Sequence, residues 1–315
     1  MNHKIYRLVN EYKERIWGGT RLQETFGFKT DINPLGEAWI VTSLAGNADN
    51  CVEGLDVSLN TLYQTHRELF GTVDDLLPVK AMIIASEQDL SVQVHPNDEY
   101  ALKHDNSLGK PEAWYIIDAK EGAKIEYGHT AKTKTELTEM INGDKWDELL
   151  KYVYPEKGDF LFVKDGMMHA LGKDLLVYEI SKNADLTYRV YDYDRVDKKT
   201  GQKRELHLDK CLDVLRVNED GEGLIHPSGV IADGCEITTY FDEAGQFTFK
   251  KIVVKDKGSY YQSEFGFYFI SEGSGKIGDI SVTKGETYFV PKDHGELVLE
   301  GNFELLLSTY KDKQE

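Results

Sequence analysis

The sequence predicts a mainly β protein, and three observations carry that expectation. Short β-branched and aromatic segments recur along the chain, at 37–43, 91–95, 112–118, 159–163, 175–181 and 187–192. Beyond residue 245 almost every segment reads as strand: 247–254, 261–270, 286–290, 297–299 and 303–308. Gly and Asp turns separate these segments, and short strands at such spacing build sandwiches or barrels.

Helical spacing is confined to three places. Leu59, Leu62, Tyr63, His66, Leu69 and Phe70 recur every three or four residues behind Ser58, a capping residue type. Thr133 and Glu136 form a capping box ahead of Leu137, Met140 and Ile141. Gly143 interrupts that helix, and Trp146, Leu149 and Leu150 resume the pattern. Leu208, Cys211, Leu212 and Leu215 make the third helix. The acidic, Gly-rich stretch at 218–223 then reads as a linker between two domains. A short internal similarity, Gly158-Asp-Phe-Leu-Phe-Val163 against Gly285-Glu-Thr-Tyr-Phe-Val290, is consistent with one small barrel in each half.

Composition bounds the function. The 315 residues are 40% hydrophobic and 29% charged, an ordinary globular balance. Lys and Arg number 37 against 55 Asp and Glu, so 37 − 55 gives a net charge of −18. Such a balance argues against nucleic acid and anionic membranes as partners, because those affinities come from Lys and Arg. An anionic substrate needs a local basic pocket. Cys51, Cys211 and Cys235 are odd in number and form no C-x-x-C pair, the usage of a reducing compartment. The first 16 residues have no apolar signal-peptide core, and no apolar run approaches the roughly 18 residues of a membrane span. The expected location is the cytoplasm.

Candidate chemistry concentrates in four segments. In Ser91-Val-Gln93-Val-His95, alternate residues share a strand face, so Ser91, Gln93 and His95 point together while Val92 and Val94 point to a core. On spacing alone, a solvent-exposed polar face explains this as well as a binding site does. Lys110-Pro-Glu112 places a carboxylate at a strand start, and Pro111 enforces an extended entry. Gly166-Met-Met-His169 places an imidazole just past a strand and a turn. Together these offer two imidazoles, a carboxylate and an amide, a donor set suited to Zn or Fe with positions left open. Asp185-Leu-Thr-Tyr-Arg189 presents an Arg beside acids, and its planar fork suits an anionic oxygen substrate. Gly273-Ser-Gly275-Lys-Ile-Gly278 fits G-x-G-x-x-G, but strand and turn residues follow it, so no helix N-terminus is available for a pyrophosphate. Walker A, G-x-S-x-G and H-E-x-x-H patterns are absent.

Gln93-Val-His95-Pro-Asn, Lys110-Pro-Glu112, Gly166-x-x-His169-Ala-Leu-Gly and Asp185-x-x-x-Arg189, in this order, resemble type I mannose-6-phosphate isomerase (phosphomannose isomerase) in its short bacterial form. Trp17-Gly-Gly19 and Gly36-Glu37-Ala-Trp39 resemble its N-terminal signatures. The resemblance implies two cupin-type (jelly-roll) β-barrels: a metal-binding domain over 1–217 with inserted helices, and a degenerate barrel over 224–315 without metal. It implies one Zn²⁺ per chain, held by Gln93, His95, Glu112 and His169. Arg189 is then the active-site arginine, with Ser91 and Lys110 lining the pocket. The implied reaction interconverts mannose 6-phosphate and fructose 6-phosphate through an enediol, whose charge zinc stabilises. The reaction also requires an acid or base. Asp185 and Glu179 are the candidates, and Lys110 is an alternative acid or oxyanion donor. One departure stands out: many longer members carry a His before Lys-Pro-Glu, and this chain has Gly109. Two other classes share parts of the pattern. Non-haem Fe(II) oxygenases also use two His and one carboxylate, and a non-enzymatic sugar-binding cupin would need no open metal. Oligomeric state is not legible.

Overall fold

The structure is a computed structural model that describes residues 4–44, 46–197, 199–218 and 221–313. Among these residues the chain forms 24 strands and six α-helices, so the fold is mainly β. All the sheet pairings are antiparallel. Three sheets and a helical layer stack on one another.

The central layer is a six-stranded sheet, in the order Phe160–Val163, Glu112–Ala119, Leu175–Lys182, Val79–Ser86, Leu35–Val41, Glu11–Gly19. Both of its faces are buried. One face, with Trp39, Met82, Ile84, Trp114, Ile116 and Val177, packs on a five-stranded sheet that contributes Ile125, Tyr127 and Leu171. The other face, with Ala81, Ile83, Tyr115, Phe160, Tyr178 and Ile180, packs on Phe249, Phe267, Phe269, Phe289 and Leu306 of the C-terminal sheet. Burying two faces explains why Val79–Ser86 shows no alternation and reads as eight buried residues. The C-terminal sheet closes over its own core of Ile252, Ile270, Val290, Leu299 and Leu305. Helices Lys134–Asn142, Trp146–Leu149 and Leu208–Val214 cover the outer face of the five-stranded sheet, through Leu137, Ile141, Leu149 and Cys211 against Val92, Ala170 and Val190.

Local signals behave as the residue types dictate. Ser58 Oγ accepts from the Thr61 N–H and caps helix Leu59–Thr65. Thr133 Oγ1 accepts from the Glu136 N–H, while the Glu136 carboxylate turns to the Lys132 N–H. The G-x-G-x-x-G match lies at the end of strand Gly266–Ile277, which pairs with Gly295–Thr309, and its last glycine, Gly278, is in the turn that follows. The segments at 297–299 and 303–308 are one strand, Gly295–Thr309, and 261–270 is broken between Lys257–Gln262 and Gly266–Ile277. Helices Arg21–Phe26 and Asp98–Asp105 carry no clear apolar stripe and were not expected.

Strand Tyr6–Val9 pairs with Thr287–Val290, and Cys51–Val52 adds to its other edge, so the first sixty residues contribute strands to the C-terminal sheet. Two residues of the expected linker, Glu219 and Asp220, lie outside the described residues. Its flanks are held: Asn218 Nδ2 donates to Lys132 O, and Glu222 pairs with Lys164. No described helix is long and apolar enough to cross a membrane.

Candidate metal centre

Register brings the candidate residues together. His169 lies directly opposite Gln93, and Arg189 lies opposite Gln93 on its other side, all in the five-stranded sheet. Glu112 opens a strand of the facing six-stranded sheet, so the centre spans the gap between two sheets. His95, one residue past strand Val92–Val94, is fixed by its own carbonyl, which accepts from the Gly166 N–H at 2.8 Å.

The His95, Glu112 and His169 ligand atoms all lie within 4.8 Å of one another, and the three residues are 1%, 0% and 0% exposed. Each imidazole Nε2 is 3.3 Å from a different Glu112 oxygen. The opposite ring nitrogens fix the tautomers. His95 Nδ1 donates to Leu186 O and His169 Nδ1 to Met167 O, both at 2.8 Å. A carbonyl can only accept, so both Nε2 lone pairs face the carboxylate. Gln93 Nε2 lies 3.4 Å from His169 Nε2. A half-turn of that amide would present its oxygen instead.

This arrangement fits a metal ion. His95 Nε2 and Glu112 Oε1 are buried without a hydrogen bond, a costly state for polar atoms, while Glu112 Oε2 has the Lys110 ammonium beside it. Burial pushes the His95 pKa down to about 4, so the ring is a neutral donor at ordinary pH. Burial pushes Glu112 up, but Lys110 and His95 outweigh it and hold the carboxyl well below its usual range. Two neutral imidazoles, one carboxylate and one amide are a borderline nitrogen–oxygen set of the kind Zn²⁺ takes.

A cavity of about 520 Å³ opens beside these residues and is lined by Ser91, Gln93, Lys110, Glu179, Asp185 and Arg189 among others. Lys110 Nζ bridges Glu112 Oε2 at 2.7 Å and Glu179 Oε1 at 2.8 Å. Burial pushes the Lys110 pKa down, but the two carboxylates outweigh it and raise it. Glu179 is pushed up by burial and by the Glu112 charge, against the pull of Lys110. Arg189 Nε donates to Ser91 Oγ at 3.3 Å and its Nη1 to Glu205 O at 2.8 Å.

Sequence reasoning missed three cations, Lys80, Arg204 and Arg15, the last held by Glu37 at the cavity wall. Lys80 is 0% exposed, 3.1 Å from Asp185 Oδ1 and 3.7 Å above the Trp39 ring. Burial lowers its pKa, assisted by the Lys110 charge. The signal was a lone Lys inside an apolar run, Val79-Lys-Ala-Met-Ile-Ile. Arg204 lines the cavity from a hairpin in which Val196 pairs with Lys203. Gly109 gains a physical meaning too. A Cβ there would lie 2.6–2.8 Å from the Pro96, Asn97 and Asp98 backbone, so no side chain fits.

A mainly β fold with a buried His–Glu–His cluster between two of its sheets has the donor set of a metal-dependent enzyme, and sequence comparison gives the family. Residues 5–121 match the family described as phosphomannose isomerase type I, catalytic domain. The chain is 41% identical over 306 residues to mannose-6-phosphate isomerase ManA of Bacillus subtilis (strain 168), covering 94% of this chain and 96% of that protein. The chain therefore belongs to the type I phosphomannose isomerases. A crystal structure of the mannose 6-phosphate isomerase from Bacillus subtilis superposes with a TM-score of 0.91 at 37% identity, over 96% of this chain and 99% of that one. A zinc-bound (holo) mannose 6-phosphate isomerase shares the fold at a TM-score of 0.77 and 14% identity, over 98% and 99% of the two chains.

Proposed function

We propose that the protein is a zinc-dependent aldose–ketose isomerase that interconverts D-mannose 6-phosphate and D-fructose 6-phosphate. The observation that carries this reading is the buried His95–Glu112–His169 cluster, with His95 Nε2 and Glu112 Oε1 lacking hydrogen bonds, beside a cavity lined by both cations and acids. Gln93, His95, Glu112 and His169 would hold one zinc per chain. Bound there, zinc supplies Lewis-acid stabilisation to oxygens of the substrate.

The chain's own residues account for the rest. The isomerisation removes a proton from C2 and returns one to C1, with negative charge accumulating on the oxygens between. Asp185 faces the cavity; burial raises its pKa, but Lys80 and Lys110 outweigh this and hold it low, so it is ionised and ready to accept a proton. Lys80 stands behind it, 3.1 Å from Asp185 Oδ1, and its charge holds the carboxylate in its ionised form. Lys110 stays charged and offers a donor to an enediolate oxygen. Arg189, opposite Gln93, places a second cation at the same end. Trp39 and Met82 line the walls and exclude water.

The proposed domain arrangement is two cupin-type barrels, the first over 1–217 and the second over 224–315 without metal. The apolar filling of the C-terminal core supports the metal-free reading.

A coupled assay converting mannose 6-phosphate to fructose 6-phosphate, before and after chelation and zinc return, tests the function. Activity that disappears with the metal and returns with zinc is expected. No conversion by the zinc-loaded protein, or full activity after complete metal removal, refutes it.

A further inference from the structure

Under the sugar-phosphate reading, the two ends of the substrate must be held apart. The reacting C1 and C2 lie at the metal ligands, and the phosphate sits on C6, the far end of the carbon chain. The cavity is lined by four cations, Arg15, Lys110, Arg189 and Arg204. Two of them are held by carboxylates, and a third lies at the reacting end. Arg15 Nε and Nη2 both bind the Glu37 carboxylate, at 2.9 and 2.8 Å, and its Nη1 donates to Glu14 O. Lys110 is enclosed by Glu112 and Glu179. Arg189 sits beside Gln93 and is drawn towards Ser91 on the metal-bearing strand, at the reacting end.

Arg204 differs. Its Nε donates to Asp192 Oδ2 at 2.8 Å and its Nη2 to Asp192 Oδ1, a two-point grip that fixes the guanidinium plane. Its Nη1 has no partner among the described residues, and the side chain is 23% exposed. Asp192 does not neutralise the wall, because Arg195 shares it: Arg195 Nε lies 3.2 Å from Asp192 Oδ1. Within this group one carboxylate stands between two arginines, with Arg189 adjacent, so the group itself carries net positive charge. Arg189 registers this, its pKa lowered first by burial and then by Arg204. The acids on the same wall are occupied. Asp197 Oδ1 accepts from the Lys199 and Thr200 N–H groups, and Glu14 pairs with Lys199. In a chain of net charge −18, this is a local cationic site of the kind a phosphate dianion requires.

We propose that Arg204, oriented by Asp192 and buttressed by Arg195, is the anchor for the substrate's phosphate, while Arg189 serves the reacting end. The inference rests on the isomerase reading for the identity of the substrate, not for the phosphate chemistry.

The test compares the zinc-loaded wild type with Arg204→Ala, Arg204→Gln and Arg204→Lys, using mannose 6-phosphate as substrate and inorganic phosphate as probe. Losing a charged donor to the phosphate should raise KM by about 10- to 100-fold and weaken inhibition by inorganic phosphate by the same factor. The value of kcat should stay within about threefold, the pattern of lost uniform binding. Arg204→Lys should fall between wild type and Arg204→Ala. Asp192 keeps Arg195 in these variants, so the hairpin retains its buried pair, and Arg204→Gln decides the matter if Arg204→Ala does not fold. Unchanged KM and unchanged phosphate inhibition, or a loss confined to kcat, overturns the proposal. If the wild type does not isomerise mannose 6-phosphate, the isomerase reading fails separately. Calorimetric titration with inorganic phosphate then judges Arg204 directly: binding lost in Arg204→Ala supports the anchor, and equal binding refutes it.

Discussion

Lys110→Met removes the one cation that separates two buried carboxylates. Lys110 Nζ contacts Glu112 and Glu179, and the three side chains are 7%, 0% and 5% exposed. Met preserves most of the stem volume, so the perturbation is electrostatic. Breaking a buried ion pair by removing one partner costs about 3–5 kcal/mol, because the charge left behind is uncompensated. Nearly complete burial leaves no solvent to screen that loss. For a chain of this size the corresponding fall in Tm is roughly 5–8 °C. The pH dependence carries the sharper signature. Burial and the Glu112 charge already raise the Glu179 pKa, and Lys110 opposes them. Without Lys110, the folded state holds a proton on this pair more tightly still. A carboxyl whose folded pKa is raised loses stability as pH climbs from its unfolded value through its folded one. The deficit relative to wild type should therefore be smallest near pH 4.5, the ordinary glutamate value, and should widen towards neutrality. Thermal melts of chelator-treated wild type and Lys110→Met across that range measure it. Zinc loading should narrow the gap, because a divalent ion at Glu112 restores part of the missing positive charge. Equal melting temperatures at neutral pH, or a deficit that does not change with pH, would refute the electrostatic argument.

Other outcomes follow from the same geometry. His95→Ala and His169→Ala should each lose both zinc and activity, and elemental analysis finding full metal occupancy in either variant would remove that residue from the ligand set. Arg189→Ala, with zinc content unchanged, should lower kcat by about 100- to 1000-fold with a smaller change in KM, as for loss of a donor to transition-state charge; wild-type kcat would refute its assigned role. Glu126 is 2% exposed, and burial raises its pKa to about 7 from 4.5. Wild-type stability should therefore decline between those two values and level off above them, and Glu126→Gln should lose that component. Parallel pH–stability curves for the two proteins would show that the carboxyl is not the cause.

The candidate metal ligands were legible as candidates because each announces itself over a short stretch. Gln93 and His95 share a strand face two residues apart, Pro111 sets Glu112 at a strand entry, and a turn at Gly166 delivers His169. The helix caps at Ser58 and Thr133 were legible for the same reason, since a cap is a bond between near neighbours. The strand Val79–Ser86 was not, because a strand buried on both faces loses the alternation that marks one buried on a single face. Lys80 went with it. The sequence shows a Lys among apolar residues, and only the facing Asp185, 105 positions away, makes that burial tolerable. Arg204 needed tertiary structure twice, for the hairpin that returns it to the cavity and for Asp192, which turns its guanidinium to the wall. The joining of strand Tyr6–Val9 to Thr287–Val290 is of the same kind, a pairing across some 280 residues that no local pattern encodes. By itself the sequence determined the strand-rich class, the donor types and their faces, because these depend on residues a few positions apart. The tertiary structure decided which charges stand together in the site, because the distances between distant segments depend on register and layer packing rather than on any one stretch of chain.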